Sequence, residues 1–250
     1  MKGIDTSSYQ APDLTDLIAS YDPDVVVVKM YLPVEVISQT HSIAQSRSVL
    51  TNRKLLTGYC YCYGSVDPTK TVAWAATLAD YCGASIRGEF PAAHLWLDME
   101  DTDAPDDLWL AKAAGKAEEM GVSLGIYTGR YWWRQHMNND WSYLPLWLAN
   151  YDEDPSLDSF IPFGGWTYLT GKQYTSTPID QNTFLDGGVM PRTPEQQRII
   201  DVLRVNANAR LEQLKAAADT FNYNKLAGEL SVATAEINGE VDKLEILWPV

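Results

Sequence analysis

Short apolar runs alternate with helix-like stretches from Gly3 to Ala149, and no other feature limits the fold so strongly. Strand-like runs are read over 3–5, 24–30, 55–63, 93–99, 122–127 and 144–149. Helical patterns lie between them, over 14–20, 42–50, 69–81, 108–120 and 131–136. Strands joined by helical crossovers pair in parallel, and the helices cover the sheet. The run Val25-Val26-Val27-Val28 fits such a doubly covered strand. After Ala149 the rhythm changes, and 164–168 and 172–175 look like short strands with no helix between them. The choice lies between an open doubly wound sheet and a closed barrel. No Gly-x-Gly-x-x-Gly follows the first strand, so a dinucleotide site has no support. Polar residues instead sit at several strand ends: Asp5, Asp98, Glu100, Tyr127 and Asp180. Barrel enzymes collect their chemistry from many strand ends on one face. The expected fold class is therefore α/β: an irregular TIM-like (β/α) barrel whose last strands lack crossover helices, with a C-terminal, mainly helical appendage.

Composition divides the chain near the same place. Residues 1–192 hold 13 Lys and Arg against 24 Asp and Glu, with eight of the nine Trp and 13 of the 14 Tyr. Pro191 and Pro194 mark a break, and Thr193-Pro194-Glu195 resembles a helix start. Ile199, Leu203, Leu211 and Leu214 then recur at roughly helical spacing. The expected organisation is a catalytic barrel over 1–190 and a helical segment over 191–250 that serves docking, oligomerisation or targeting. The net charge of −14 repels phosphate backbones, so nucleic acid is excluded as a general partner. No apolar stretch is long enough for a membrane span, and no apolar leader follows Met1. Cys60, Cys62 and Cys82 are odd in number and read as buried free thiols. With His41, His94 and His136 scattered, no zinc set or other cofactor is called for.

The sharpest local signal is Leu95-Trp96-Leu97-Asp98-Met99-Glu100. On a strand, residues i and i+2 point to the same side, so Asp98 and Glu100 are brought together. Two neighbouring carboxylates repel, and one then holds its proton toward neutral pH. A glycosidase needs that division: an acid for the leaving oxygen and an anion for the sugar. Asp-x-Glu alone also suits a solvated strand end. Asp5 and Asp180, at other strand ends, are expected on the same rim.

Five motifs in order then resemble one family. Gly3-Ile4-Asp5-Thr6-Ser7 is similar to the opening strand of glycoside hydrolase family 25 lysozymes, and Leu97-Asp98-Met99-Glu100 to their Asp-x-Glu strand end. Gly125-Ile126-Tyr127-Thr128 and Leu146-Trp147-Leu148-Ala149-Asn150-Tyr151 match two further strand signatures. Gln173-Tyr174-Thr175 with Ile179-Asp180-Gln181-Asn182 resembles the closing segment. One departure stands on the third strand, where Gly58-Tyr59-Cys60-Tyr61-Cys62-Tyr63 replaces a Gly-x-Tyr-His-Phe pattern. Aligned on Gly58, Cys60 takes the Tyr position and Tyr61 the His position.

The resemblance implies hydrolysis of the β-1,4 bond between N-acetylmuramic acid and N-acetylglucosamine in peptidoglycan. It implies Glu100 as general acid and Asp98 as stabiliser of the charge at the anomeric carbon or orienter of the acetamido group. Asp5 and Asp180 would complete the acidic cluster, and Tyr127, Trp147, Tyr61 and Tyr174 would line the sugar groove. The expected partner is the glycan strand of the wall. The expected setting is a bacteriophage endolysin held in the host cytoplasm until release, with self-association or virion attachment through 193–250. The rival reading is a catalytically silent carbohydrate-binding or virion structural module on a degenerate barrel. A chitinase-like Asp-x-x-Asp-x-Asp-x-Glu run is not matched, because Leu95 and Trp96 stand where its acids would be.

Overall fold

The four consecutive valines show how the chain is built. In the computed structural model, which describes residues 1–87 and 93–185, all four are fully buried on β2 (Val25–Lys29). Val25 and Val27 point into one apolar cluster and Val26 and Val28 into another. A strand covered on both faces needs apolar side chains at every position, and β-branched ones suit the pleat.

Eight strands close into a barrel in chain order: β1 (Lys2–Thr6), β2, β3 (Leu55–Tyr61), β4 (Leu95–Asp98), β5 (Leu124–Gly129), β6 (Leu146–Ala149), β7 (Gly171–Thr175) and β8 (Gln181–Phe184). Strands β1 to β7 are parallel, each to the next. Helices α1 (Thr15–Tyr21), α2 (Gln39–Thr51), α3 (Pro68–Cys82), α4 (Asp107–Glu119) and α5 (Arg130–His136) occupy the first five connections. Between β6, β7 and β8 no helix intervenes among the described residues. The expected barrel with late strands lacking crossovers is what the chain forms.

Local chemistry sets the helix ends. Asp67 caps α3 by accepting from the backbone N–H groups of Thr69 and Lys70, Pro68 occupies the first turn, and Gly83 closes it at φ +75°. Asp106 caps α4 through Trp109 N at 2.7 Å.

One expectation needs correction. The stretch 164–168 is no strand: Phe163 and Trp166 form an isolated bridge around Gly164 and Gly165, both at positive φ. Asp180 lies in the connection between β7 and β8, so it follows one strand and immediately precedes the next. Strand β8 is antiparallel to both β7 and β1, so its first residues lie on the rim where the parallel strands end. That reversal brings Asp180 to the face that carries Asp5 and Asp98. The boundary at 190/191 and the helical segment expected beyond it lie outside the described residues. Among the described residues, no helix is long and apolar enough to cross a membrane.

The barrel interior is filled by large rings rather than layers of aliphatic side chains. Tyr59, Trp96, Tyr127, Trp147 and Phe184 pack with Val25 and Val27. Trp147 lies 4.6 Å from Tyr127, 5.6 Å from Trp96 and 5.5 Å from Phe184, centroid to centroid. Rings of that size need glycine opposite them. A Cβ at Gly125, the cross-strand partner of Trp96, would stand 2.4 Å from the indole. One at Gly171 would stand 2.6 Å from Phe184. We expect Gly125→Ala to cost about 1–3 kcal/mol or more, since Trp96 is fully buried and cannot yield. A thermal melt unchanged from wild type would refute that packing argument.

Candidate active site

The rim formed by the ends of β1 to β7 and the start of β8 surrounds a cavity of about 540 Å³. Asp5, Asp98, Glu100 and Asp180 all line it. Asp98 is the last residue of β4, and Glu100 follows two positions on, so the strand period turns both inward. Asp5 and Asp98 are buried, Asp180 is half-buried and Glu100 is exposed to solvent. Each of the four sequence-derived carboxylates therefore reaches one cavity.

Their electrostatics follow from crowding. Burial, then the charge of Asp180, pushes Asp5 up to about 8, against hydrogen bonds from Asn182 and Gln173 that lower it. Burial and the neighbouring Glu100 hold Asp98 well above the carboxylate range, while Lys29 acts the other way. Asp98 Oδ1 is buried and accepts no hydrogen bond. Glu100 is raised by loss of water against the cavity walls, then by Asp180 and Asp101. Burial lifts Asp180 to about 6. Like charges in a common low-dielectric pocket favour retained protons.

Aromatic side chains build the walls. Tyr127 and Trp147 line the cavity as expected, but Trp147 is 1% exposed and belongs to the floor. Its Nε1 donates to Asn182 Oδ1 at 2.9 Å, which fixes the ring. Tyr61 lines the wall, and the strand alternation places Tyr59 and Tyr63 beside it. Cys60 and Cys62 face the opposite way, into the layer between barrel and helices. The departure on the third strand thus leaves the cavity-facing side a row of tyrosines. All three cysteines are buried and free. Tyr174 is not among the lining residues. Gln173 points inward, so Tyr174 points outward, its hydroxyl 3.3 Å from Gln181 Oε1.

Sequence reasoning missed a cation. Lys29, at the end of β2, lines the cavity, pairs with Glu35 at 2.7 Å, and lies 4.8 and 4.9 Å from the rings of Tyr31 and Tyr61. Held so, it places fixed positive charge in an acidic groove. A single Lys at the end of a valine run gives no pattern to read. Gln173, Asn182 and Tyr151 were likewise missed as site residues, although the motifs containing them were quoted. Among the described residues no group of three or more His, Cys, Asp or Glu is arranged to hold a metal ion.

Comparison with known proteins places this geometry. The family model described as lysozyme-like protein 1 matches residues 78–174. A probable GH family 25 lysozyme 3 from Dictyostelium discoideum is 29% identical over 206 residues, covering 74% of this chain and 41% of that protein. Counting factor 45-1 from the same organism is 33% identical over 108 residues, covering 37% of this chain and 36% of that protein. The matches thus span less than half the length of these relatives. The muramidase from Acremonium alcalophilum has the same fold, with a TM-score of 0.59 at 19% identity over 75% of this chain and 95% of that one. The sequence matches and the barrel with its antiparallel closing strand agree: in sequence the chain is similar to lysozyme-like proteins and a probable GH family 25 lysozyme, and it shares its fold with a solved muramidase.

Proposed function

We propose that the protein is a peptidoglycan hydrolase that cleaves the β-1,4 bond between N-acetylmuramic acid and N-acetylglucosamine. The observation that carries this reading is the Asp98–Glu100 pair at the end of β4, opening with Asp5 and Asp180 into one tyrosine-walled cavity.

Glu100 suits the general acid. It is reachable from solvent, and burial against the cavity walls with Asp180 and Asp101 nearby raises it above the ordinary carboxylate range, the direction a general acid needs. It donates its proton to the glycosidic oxygen as the bond to the anomeric carbon breaks. The positive charge that develops at that carbon is met by the substrate's own acetamido oxygen, with Asp98 orienting that group, or by Asp98 in its ionised form, which burial and Glu100 oppose. Water then adds to the same face, giving its proton back to Glu100, so the configuration is retained. The half-buried ring of Tyr61 on the cavity wall offers a stacking surface for a sugar ring.

Mass spectrometry of fragments released from purified peptidoglycan tests the reading. Reducing-end muramic acid is expected. Reducing-end glucosamine would move the cut to the other bond, and saccharide binding without any fragments would favour the silent binding module.

The finer part of the proposal concerns setting: a phage endolysin kept in the host cytoplasm until release, with 193–250 used for self-association or virion attachment. The pneumococcal cell wall endolysin from phage Cp-1 has this fold, which supports the setting only through architecture. Sizing of the full chain in solution checks self-association, and elution at the mass of one chain removes it.

A further inference from the structure

Asp5 is gripped from two other strands at the seam where the barrel closes. Its Oδ2 accepts from Gln173 Nε2 on β7 and from Asn182 Nδ2 on β8, both at 2.8 Å. Each amide is in turn oriented from behind. Gln173 Oε1 accepts from the hydroxyls of Tyr127 at 2.6 Å and Tyr151 at 2.8 Å. Asn182 Oδ1 accepts from Trp147 Nε1. Flipping either amide would set its carbonyl oxygen against the Asp5 carboxylate, and flipping Asn182 would also set its NH₂ against the indole N–H of Trp147, which can only donate. The network therefore fixes Asn182 by its donor-only partner, and fixes Gln173 wherever Asp5 is ionised. Gln173 and Asn182 are themselves buried, so neither amide has water as a substitute partner.

We propose that Gln173 and Asn182 are positioning residues for the hydrolysis proposed above: they clamp Oδ2 so that Asp5 meets the substrate through Oδ1 alone, and they bias this carboxyl toward its ionised form. Two N–H donors on one oxygen are worth more to an anion than to a neutral acid. The bias works against a crowded neighbourhood. Asp180, Asp98 and Glu100 face Asp5 with like charge, and the phenols of Tyr59, Tyr127 and Tyr151 close the remaining sides. The role rests on the hydrolase reading, but the clamp itself does not.

Gln173→Glu tests both parts. The substitution keeps an acceptor for Tyr127 and Tyr151 but turns the contact with Asp5 into one between two carboxyl oxygens. The Asp5 carboxyl carbon, followed by NMR without substrate, is expected to titrate at higher pH than in wild type. Peptidoglycan cleavage is expected to lose about tenfold or more in kcat, with KM little changed, because the lost contact orients a reacting group. Asn182→Asp repeats the logic from β8 while keeping the acceptor for Trp147. Should neither variant fold, the wild-type side-chain amide protons of Gln173 and Asn182 decide, since they must shift in step with the Asp5 titration. Unmoved titration in the variants, or amide signals blind to it, would overturn the clamp. A wild-type protein that cleaves no peptidoglycan would overturn the hydrolase reading instead and leave the NMR result to judge the clamp.

Discussion

Glu100→Gln is expected to lower the rate of peptidoglycan cleavage by about 10²- to 10⁴-fold, the usual contribution of a positioned general acid. Gln keeps the volume and the hydrogen-bonding reach of Glu but holds no proton that it can give to a leaving alkoxide. The fold is expected to survive, because Glu100 is exposed and makes no ion pair that the barrel depends on. Exposed substitutions of this kind change stability by roughly half a kcal/mol or less. Removing one carboxylate from a repelling group acts, if anything, in the stabilising direction. The decisive comparison is between leaving groups. Natural glycan needs protonation of a poor leaving oxygen, whereas an activated aryl glycoside leaves as a stable phenolate. The variant should therefore recover most of its rate on the aryl substrate. An equal loss on both substrates would show that Glu100 acts at the anomeric carbon, and wild-type lysis of cell walls by the variant would remove it from the chemistry.

How far the sequence could be read depended on whether the signal was periodic. Long-range order in the strands was legible because burial on two faces leaves runs such as Val25 to Val28 with no polar residue at all. The Asp98–Glu100 pair was legible because period two is a property of any strand. Strand β8 was not, since Gln181-Asn182-Thr183-Phe184 is short and mostly polar. Its polar side chains serve the site: Asn182 is fully buried yet bonded at both ends of its amide. The reversal of β8 that puts Asp180 on the rim has no local signal either, because chain direction at a seam is set by pairing and not by local preference. Tyr174 was assigned to the groove from its motif, and alternation alone would have shown that it and Gln173 cannot both face inward. The row Tyr59, Tyr61 and Tyr63 could have been found by that same rule. Gly125 looked like part of a signature, and the structure supplies its cause, the indole of Trp96 across the ladder.

Asp5→Asn is expected to make the protein more stable at alkaline pH while making it a poorer enzyme. In wild type, burial and the charge of Asp180 push Asp5 up to about 8 in the folded state, against an ordinary value of 3.8. The folded form therefore holds a proton that the unfolded form releases across this window. Stability from that proton is fully present below the unfolded value and is lost as pH rises through the folded one. Each unit of separation corresponds to about 1.4 kcal/mol, so the accumulated penalty by pH 8 is several kcal/mol at most. An Asn at this position carries no charge, and its carbonyl oxygen can still accept from both Gln173 and Asn182. The variant should melt close to wild type at pH 4 and several degrees above it at pH 8, given roughly 2–4 °C per kcal/mol for a chain of this size. Thermal melts across that range check the slope, and a difference that stays constant with pH would mean that Asp5 is not the group under strain. The sign matters for function as well as folding. If neutralising Asp5 stabilises the barrel and also slows cleavage, then the crowded carboxylates cannot be explained as part of what holds the fold together. They are kept despite their cost, as an acidic site held for its chemistry.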